Sequence, residues 1–385
     1  MPTQSRSHWL TATVAFGCAA SLLLSPKLWL TTRLYPLTPV SPIFVPFHPP
    51  YDSIAYFALI AALLLAAILP RPRVPIAAFA VIAVTLALQD QSRWQPWFYQ
   101  YLLMLLAIGI AGDGKKQSAF NTCRLIVVAI YIWSGISKLN PAFANSTLPS
   151  MAETLTKSQA FSHAAAVFIP LLEIALGCGL LTKKFRKAAL ITAIAMHVFI
   201  LATIGPLGQR HNSVVWPWNL AMIAFVTILF NNREAALPGD IVWGSHFAFH
   251  KVVLLLVGIA PVLSVVNRWD SYLSFALYSG NSNSADIFMS DTSFAELPDT
   301  LQNYVYDVSP NLNRLSINEW SYGELNVPPY PERRIFANVA GRICSLTANA
   351  SDVKLVTQMK FGLADSNRSY SEGCQSLTAE SQSPP

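Results

Sequence analysis

The run Tyr131-Ile-Trp-Ser-Gly-Ile-Ser-Lys-Leu-Asn-Pro-Ala-Phe143 closes a long apolar stretch with one lysine, Lys138, at the point where hydrocarbon should give way to water. A lysine in or beside a membrane helix is costly to bury, so it is either a site residue or a side chain snorkelling to the interface. Position alone favours the interface. The rest of the chain supplies the membrane. Of its 385 residues 53% are hydrophobic and only 12% are charged, a balance outside that of soluble domains of this size. The composition predicts an integral membrane protein, an all-α polytopic bundle over residues 1–267 followed by a polar tail over 268–385.

Working outward, an apolar run opens the chain after Arg6 and ends near Leu28, reading as an uncleaved signal anchor. A loop broken by Pro36, Pro39, Pro42, Pro46, Pro49 and Pro50 follows. Further apolar runs occupy 52–70, 74–89, 96–112, 121–140, 162–182, 188–205, 214–231 and 248–267, making about nine transmembrane helices. The turns after even-numbered runs carry Arg71 and Arg73, Lys115 and Lys116, Lys183 to Lys187, and Arg233, whereas the other turns are poorer in basic residues. By the positive-inside tendency the N-terminus is cytoplasmic and the tail extracytoplasmic, periplasmic in a bacterial inner membrane. The basic residues cluster beside apolar runs, so the formal charge of +6 needs no nucleic acid. The tail, rich in Asn, Ser and Asp, reads as a small α+β appendage with one clear strand within Asp352 to Phe361.

Two polar residues lie deep in apolar runs. At about 1.5 Å per residue, Glu173 is roughly 13 Å and His197 roughly 15 Å from the cytoplasmic face. Their helices are joined by a tight turn, so a Glu173 to His197 hydrogen bond is geometrically cheap. Such a pair either relays protons or holds a polar headgroup, or it only fixes packing. Lys138, desolvated by a lid formed from residues 140–160, would be a base or nucleophile. The outer ends of other runs gather Gly205-Pro-Leu-Gly-Gln-Arg-His-Asn-Ser-Val-Val-Trp-Pro-Trp-Asn219 and Gln89-Asp-Gln-Ser-Arg-Trp-Gln-Pro-Trp-Phe-Tyr-Gln-Tyr101. Asp90, Arg93, Trp94, Arg210, Trp216 and Asn219 are candidates to line a pocket for a flat lipophilic ring with polar edges. An aromatic belt explains the tryptophans equally well.

Five cysteines form no CxxC pair and no Cys/His metal spacing, so no metal site is expected. Cys344 and Cys374 stand alone in the tail, and in an oxidising compartment they would form a disulfide. Hydrolase, Walker, zinc-protease and dinucleotide motifs are absent.

With Ser134-Gly-Ile-Ser-Lys-Leu-Asn140 in hand, the chain resembles the membrane domain of vitamin K-dependent gamma-carboxylase and its bacterial HTTM relatives, and also the DoxX/MauE group, over about residues 85–231. The carboxylase resemblance implies Lys138 as the base, Glu173 and His197 as polar residues of the two following helices, and Asp90 and Trp94 in a corresponding aromatic loop. Where that loop has a functional histidine in the carboxylase, this chain has Arg93, and the long lumenal region for propeptide recognition is missing. The resemblance therefore implies a pocket for a quinone-like or other lipophilic ligand, with the reaction open. The DoxX/MauE side implies instead a non-catalytic accessory subunit of a membrane redox complex, contacting lipids and redox partners. Lipid or solute transport is a third class, although no paired broken helices in matching halves support it.

Overall fold

The computed structural model describes residues 3–112, 114–152, 159–206, 212–231, 236–243, 246–360 and 369–377. It is mostly helical. Among the described residues six helices are long and apolar enough to cross a membrane: α1 (Thr3–Leu24), α2 (Tyr51–Ile68), α5 (Lys116–Ser137), α7 (Gln159–Leu181), α8 (Arg186–Ile204) and α10 (Ala248–Val266). Three shorter apolar helices, α3 (Arg73–Gln89), α4 (Pro96–Ala111) and α9 (Val215–Phe230), occupy the remaining expected positions. With 16 or 17 residues each, they measure about 25 Å, somewhat less than a typical hydrocarbon core. A short helix α6 (Leu148–Ala152) lies in the loop expected to form a lid, preceded by a wider helical turn over Phe143–Thr147.

Large aliphatic and aromatic side chains stay exposed around the helices, among them Ile68, Val81, Phe168, Ile191, Phe199 and Leu220. In water that surface would be a liability; against lipid tails it costs nothing. The basic residues Arg73, Lys115, Lys116, Lys183 and Lys184 sit at one set of helix ends, and Lys138 at the other.

The tail is a five-stranded antiparallel sheet of strand order β2-β3-β1-β4-β5, built from β1 (Ser284–Met289), β2 (Val305–Ser309), β3 (Leu312–Ser316), β4 (Lys354–Gln358) and β5 (Ser369–Gly373). The strand expected near residues 352–361 is β4. The sheet packs helix α11 (Arg333–Cys344), whose buried Ile335, Phe336, Val339 and Ile343 form an apolar stripe. The disulfide Cys344–Cys374 ties its end to the chain after β5, with Cα atoms 5.8 Å apart.

Polar contacts seat the tail on the helix ends that carry Lys138. Asn140 Nδ2 donates to the Ser279 carbonyl at 2.8 Å, and Asn326 Nδ2 donates to the Leu24 carbonyl and Ser213 Oγ, both at 2.7 Å. Gln91 Nε2 donates to Asp270 Oδ2 at 3.3 Å, Arg334 Nε donates to Gln91 Oε1 at 3.0 Å, and Lys360 Nζ reaches Ser264 Oγ at 3.0 Å. Beside this group burial, reinforced by the Asp270 charge, pushes the Glu332 carboxyl up to about 7. A folded-state value above the unfolded one stabilises most below about pH 4.5 and loses that contribution as pH rises through about 7. Glu332→Gln removes this dependence. Thermal unfolding of the purified chain across pH 5–8 should show the variant melting about 2 °C or more above wild type at pH 8, with the two curves converging toward pH 5.

Candidate functional site

The site is built on the contact between α5 and α7, the most extensive between two helices among the described residues. Two glycines make it close. A Cβ at Gly135 would fall 2.6 Å from the Pro170 carbonyl oxygen, and one at Gly177 would fall 2.6 Å from Ile132 Cγ1 and 3.1 Å from the Val128 carbonyl. Small residues let helix backbones approach where lipid offers no hydrophobic drive to association. One turn beyond Gly135 the approach brings Lys138 Nζ within 2.8 Å of Glu173 Oε2. Nζ also bonds Ser134 Oγ and donates to the Ser134 carbonyl at 3.3 Å. Lys138 is 8% exposed, so the side chain turns inward rather than snorkelling to the interface.

His197 belongs to a second, uncharged network. Its Nδ1 lies 2.8 Å from Asn219 Oδ1 and its Nε2 2.8 Å from Tyr131 OH. Asn219 Nδ2 is already spent on the Val215 carbonyl at 2.8 Å, which makes Oδ1 the acceptor and His197 Nδ1 the donor. In that tautomer Nε2 accepts from the Tyr131 hydroxyl. The expected Glu173 to His197 hydrogen bond is therefore not made. A rise per residue gives height along a helix but not direction around it, and the ammonium is the stronger partner for a buried carboxylate.

Both networks face one cavity of about 840 Å³, otherwise lined mainly by apolar side chains of α5, α7, α8 and α9, with Thr192 and Thr203 of α8 among them. Lys138, Glu173, His197, Asn219, Tyr131 and Ser134 supply its polar edge. Phe143, Leu148 and Met151 close it from the loop helix, and Phe275, Leu277 and Tyr278 come from the tail. Tyr131, Ser134 and Lys138 share one face of α5 by their spacing of three and four residues, a signal in the sequence that marks Tyr131 as a site residue. Trp218 stands in the Trp-Pro-Trp-Asn run read as a pocket wall, whereas Tyr278 had no comparable signal.

Other expected pocket residues lie elsewhere. Arg93 is fully buried and donates to the carbonyls of Leu28 at 2.9 Å, Trp29 at 2.8 Å and Leu86 at 2.6 Å, satisfying helix-end acceptors that would otherwise be orphaned. Asp90 pairs with Arg33 at 2.5 Å and accepts from Thr38 Oγ1 at 3.0 Å, with Arg93 at 3.8 Å. Burial would raise the Asp90 carboxyl, but the charges of Arg33 and Arg93 outweigh it and hold the group below the usual carboxylate range. Trp94 stacks edge-on against Phe98 and Tyr99. Trp216 donates its indole N–H to the Ile204 carbonyl at 3.2 Å, while Trp218, two residues on, lines the cavity and donates to Gln100 Oε1 at 2.6 Å. Asp90, Arg93, Trp94 and Trp216 thus hold the scaffold rather than the cavity wall. Arg210 lies outside the described residues. Among the described residues no three His, Cys, Asp or Glu side chains gather as a metal site.

Two substitutions test this arrangement. Glu173→Ala leaves the Lys138 ammonium buried without its counterion and should cost about 3–5 kcal/mol, whereas the double replacement Lys138→Met with Glu173→Leu should recover most of that loss in detergent-resolved melting curves. Gly177→Val should cost about 1–3 kcal/mol by overpacking, with the loss smaller in a background carrying Ile132→Ala.

Comparison with known proteins places one similarity on this same segment. Residues 116–215 match the family model described as methylamine utilisation protein MauE. No curated protein and no solved structure matches the chain. The match supports the MauE side of the resemblance over roughly a quarter of the sequence, and nothing matched falls on the carboxylase side. It runs from the start of α5 to the first residue of α9, so the similar stretch includes Tyr131, Lys138, Glu173 and His197.

Proposed function

We propose that this integral membrane protein takes a quinone-like or other lipophilic molecule from the bilayer into the cavity beside Lys138. One observation carries the reading: an apolar cavity of about 840 Å³ with two buried polar networks converging on it. That volume is in the usual range for a small-molecule site. An ammonium–carboxylate pair and a tyrosine–histidine–asparagine chain suit a ring with carbonyl or hydroxyl edges. Phe168 and Phe199 line the cavity and are exposed, from α7 and α8, so entry is from the lipid side between those helices. In this reading all nine apolar helices cross a bacterial inner membrane, the basic turns face the cytoplasm with the N-terminus, and the disulfide-bearing tail is periplasmic.

Lys138, Glu173 and His197 are assigned binding roles first. Lys138 acts as a base only after handing a proton to Glu173, and Tyr131 and His197 are positioned to pass a proton along an uncharged chain. The family similarity favours a second reading, an accessory subunit that supports a membrane redox complex, through the MauE match across the site helices. Methylamine utilisation, named in that family's description, is a candidate setting for such a complex.

Mass spectrometry of the full chain purified from native membranes separates the two. The expected result is a lipophilic ring compound at about one per chain, lost in Ala195→Trp, which fills the cavity from its open side. A stoichiometric redox subunit with an empty cavity would replace the first reading by the second.

A further inference from the structure

A second cavity, of about 560 Å³, lies where the tail meets the bundle, and it shares Met151, Ile204, Leu277 and Tyr278 with the first as lining residues. The two differ in chemistry. The bundle cavity is walled almost wholly by hydrocarbon, whereas the tail cavity mixes apolar side chains such as Ile204, Leu277 and Pro328 with hydroxyls and amides, including those of Ser146, Thr147, Ser282, Ser284 and Asn318. Its charged side chains are Asp286 and Arg314, which oppose each other with Arg314 Nη1 3.9 Å from Asp286 Oδ2. Arg314 Nε is buried with no hydrogen-bond partner among the described residues, leaving a donor to be satisfied.

The junction is fixed from both sides. A Cβ at Gly280 would fall 2.6 Å from the Phe143 amide nitrogen and 2.7 Å from Thr147 Oγ1, so the first turn of the tail is pressed against the loop that closes the bundle cavity. Tyr278 is held at φ 56, and its hydroxyl accepts from Asn212 Nδ2 at 2.7 Å. A tyrosine in the left-handed region is strained, and such strain is kept where surrounding structure over-determines it.

Resting on the lipophilic-ligand reading above, we propose that one amphiphile occupies both cavities, its hydrocarbon part in the bundle and a neutral, hydroxyl-rich headgroup of the sugar type in the tail. Opposed charges with no excess of either sign favour an uncharged head. Clustered hydroxyls and amides supply paired donors and acceptors, as a polyol requires. The tail then selects the headgroup, and the bundle accepts the chain.

The test uses the full chain in amphipol with three probes of equal chain length, dodecyl maltoside and dodecyl phosphate below their micelle concentrations and dodecanol below its solubility limit. Affinity is read from the concentration dependence of the shift in unfolding temperature. Dodecyl maltoside should bind at least about tenfold more tightly than dodecanol, a difference of about 1.4 kcal/mol. Ser284→Trp, which fills the tail cavity from an exposed strand position, should erase that preference and leave dodecanol binding unchanged. Asn318→Trp repeats the measurement from another lining position should the first variant fail to fold. Equal binding of all three probes, tighter binding of dodecyl phosphate, or a preference that survives both tryptophans overturns the headgroup assignment. Failure of dodecanol to bind, or binding indifferent to Ala195→Trp, sinks the lipophilic-ligand reading itself and this inference with it.

Discussion

The close approach of α5 and α7 at Gly135 and Gly177 is the constraint from which the site follows. A side chain at either position would collide with the facing helix, with Pro170 or with Ile132. The closer the helices lie, the less the Lys138 side chain has to stretch to meet Glu173 at 2.8 Å. The match matters because a lone ion in a low-dielectric interior is far costlier than a matched pair. The glycines thus favour the geometry in which two charges sit together in this part of the bundle.

That pairing in turn frees His197. A carboxylate near both an ammonium and an imidazole bonds the ammonium, because the charge-assisted contact gains most where water is excluded. Glu173 is taken by Lys138 at 2.8 Å, and His197 completes its bonds with neutral partners from α5 and α9. The cavity therefore has two chemically distinct edges. One presents a charged pair, and the other a chain of polarisable neutral groups whose tautomer is set by Asn219.

How much of this the sequence discloses depends on what each feature buries. Apolar runs fix the helices to within a few residues, since every backbone amide in lipid must bond within its own helix and hydropathy tracks the result. The coincidence in depth of Glu173 and His197, and the placement of Lys138 and Asn219 at helix ends, point to residues that all line one cavity. Pair identity was hidden because a rise per residue gives height and not azimuth. Arg93 and Asp90 read as pocket residues because a buried charge invites a functional explanation, but the carbonyls of Leu28, Trp29 and Leu86 needed a donor more. Most tail strands were invisible. β2, β3 and β5 read Val-Tyr-Asp-Val-Ser, Leu-Asn-Arg-Leu-Ser and Ser-Tyr-Ser-Glu-Gly, and their pairing depends on partners distant in the chain rather than on a strong local pattern.

The tail is more than an appendage because the bundle cavity is incomplete without it. Phe275, Leu277 and Tyr278 belong to the tail yet line the cavity together with helices α5 and α7 to α9. Had the tail served only to dock a partner, its contacts with the bundle would be expected at the rim, polar and shallow. Instead the segment just after the last membrane helix dips inward, holds Phe275 and Tyr278 in the left-handed region, and abuts the loop that carries Phe143 and Met151. A chain accepts such conformations where the surrounding packing fixes them. Here that packing is the junction of two cavities that share Met151, Ile204, Leu277 and Tyr278 in their walls, so the tail completes the interior of the bundle instead of standing apart from it.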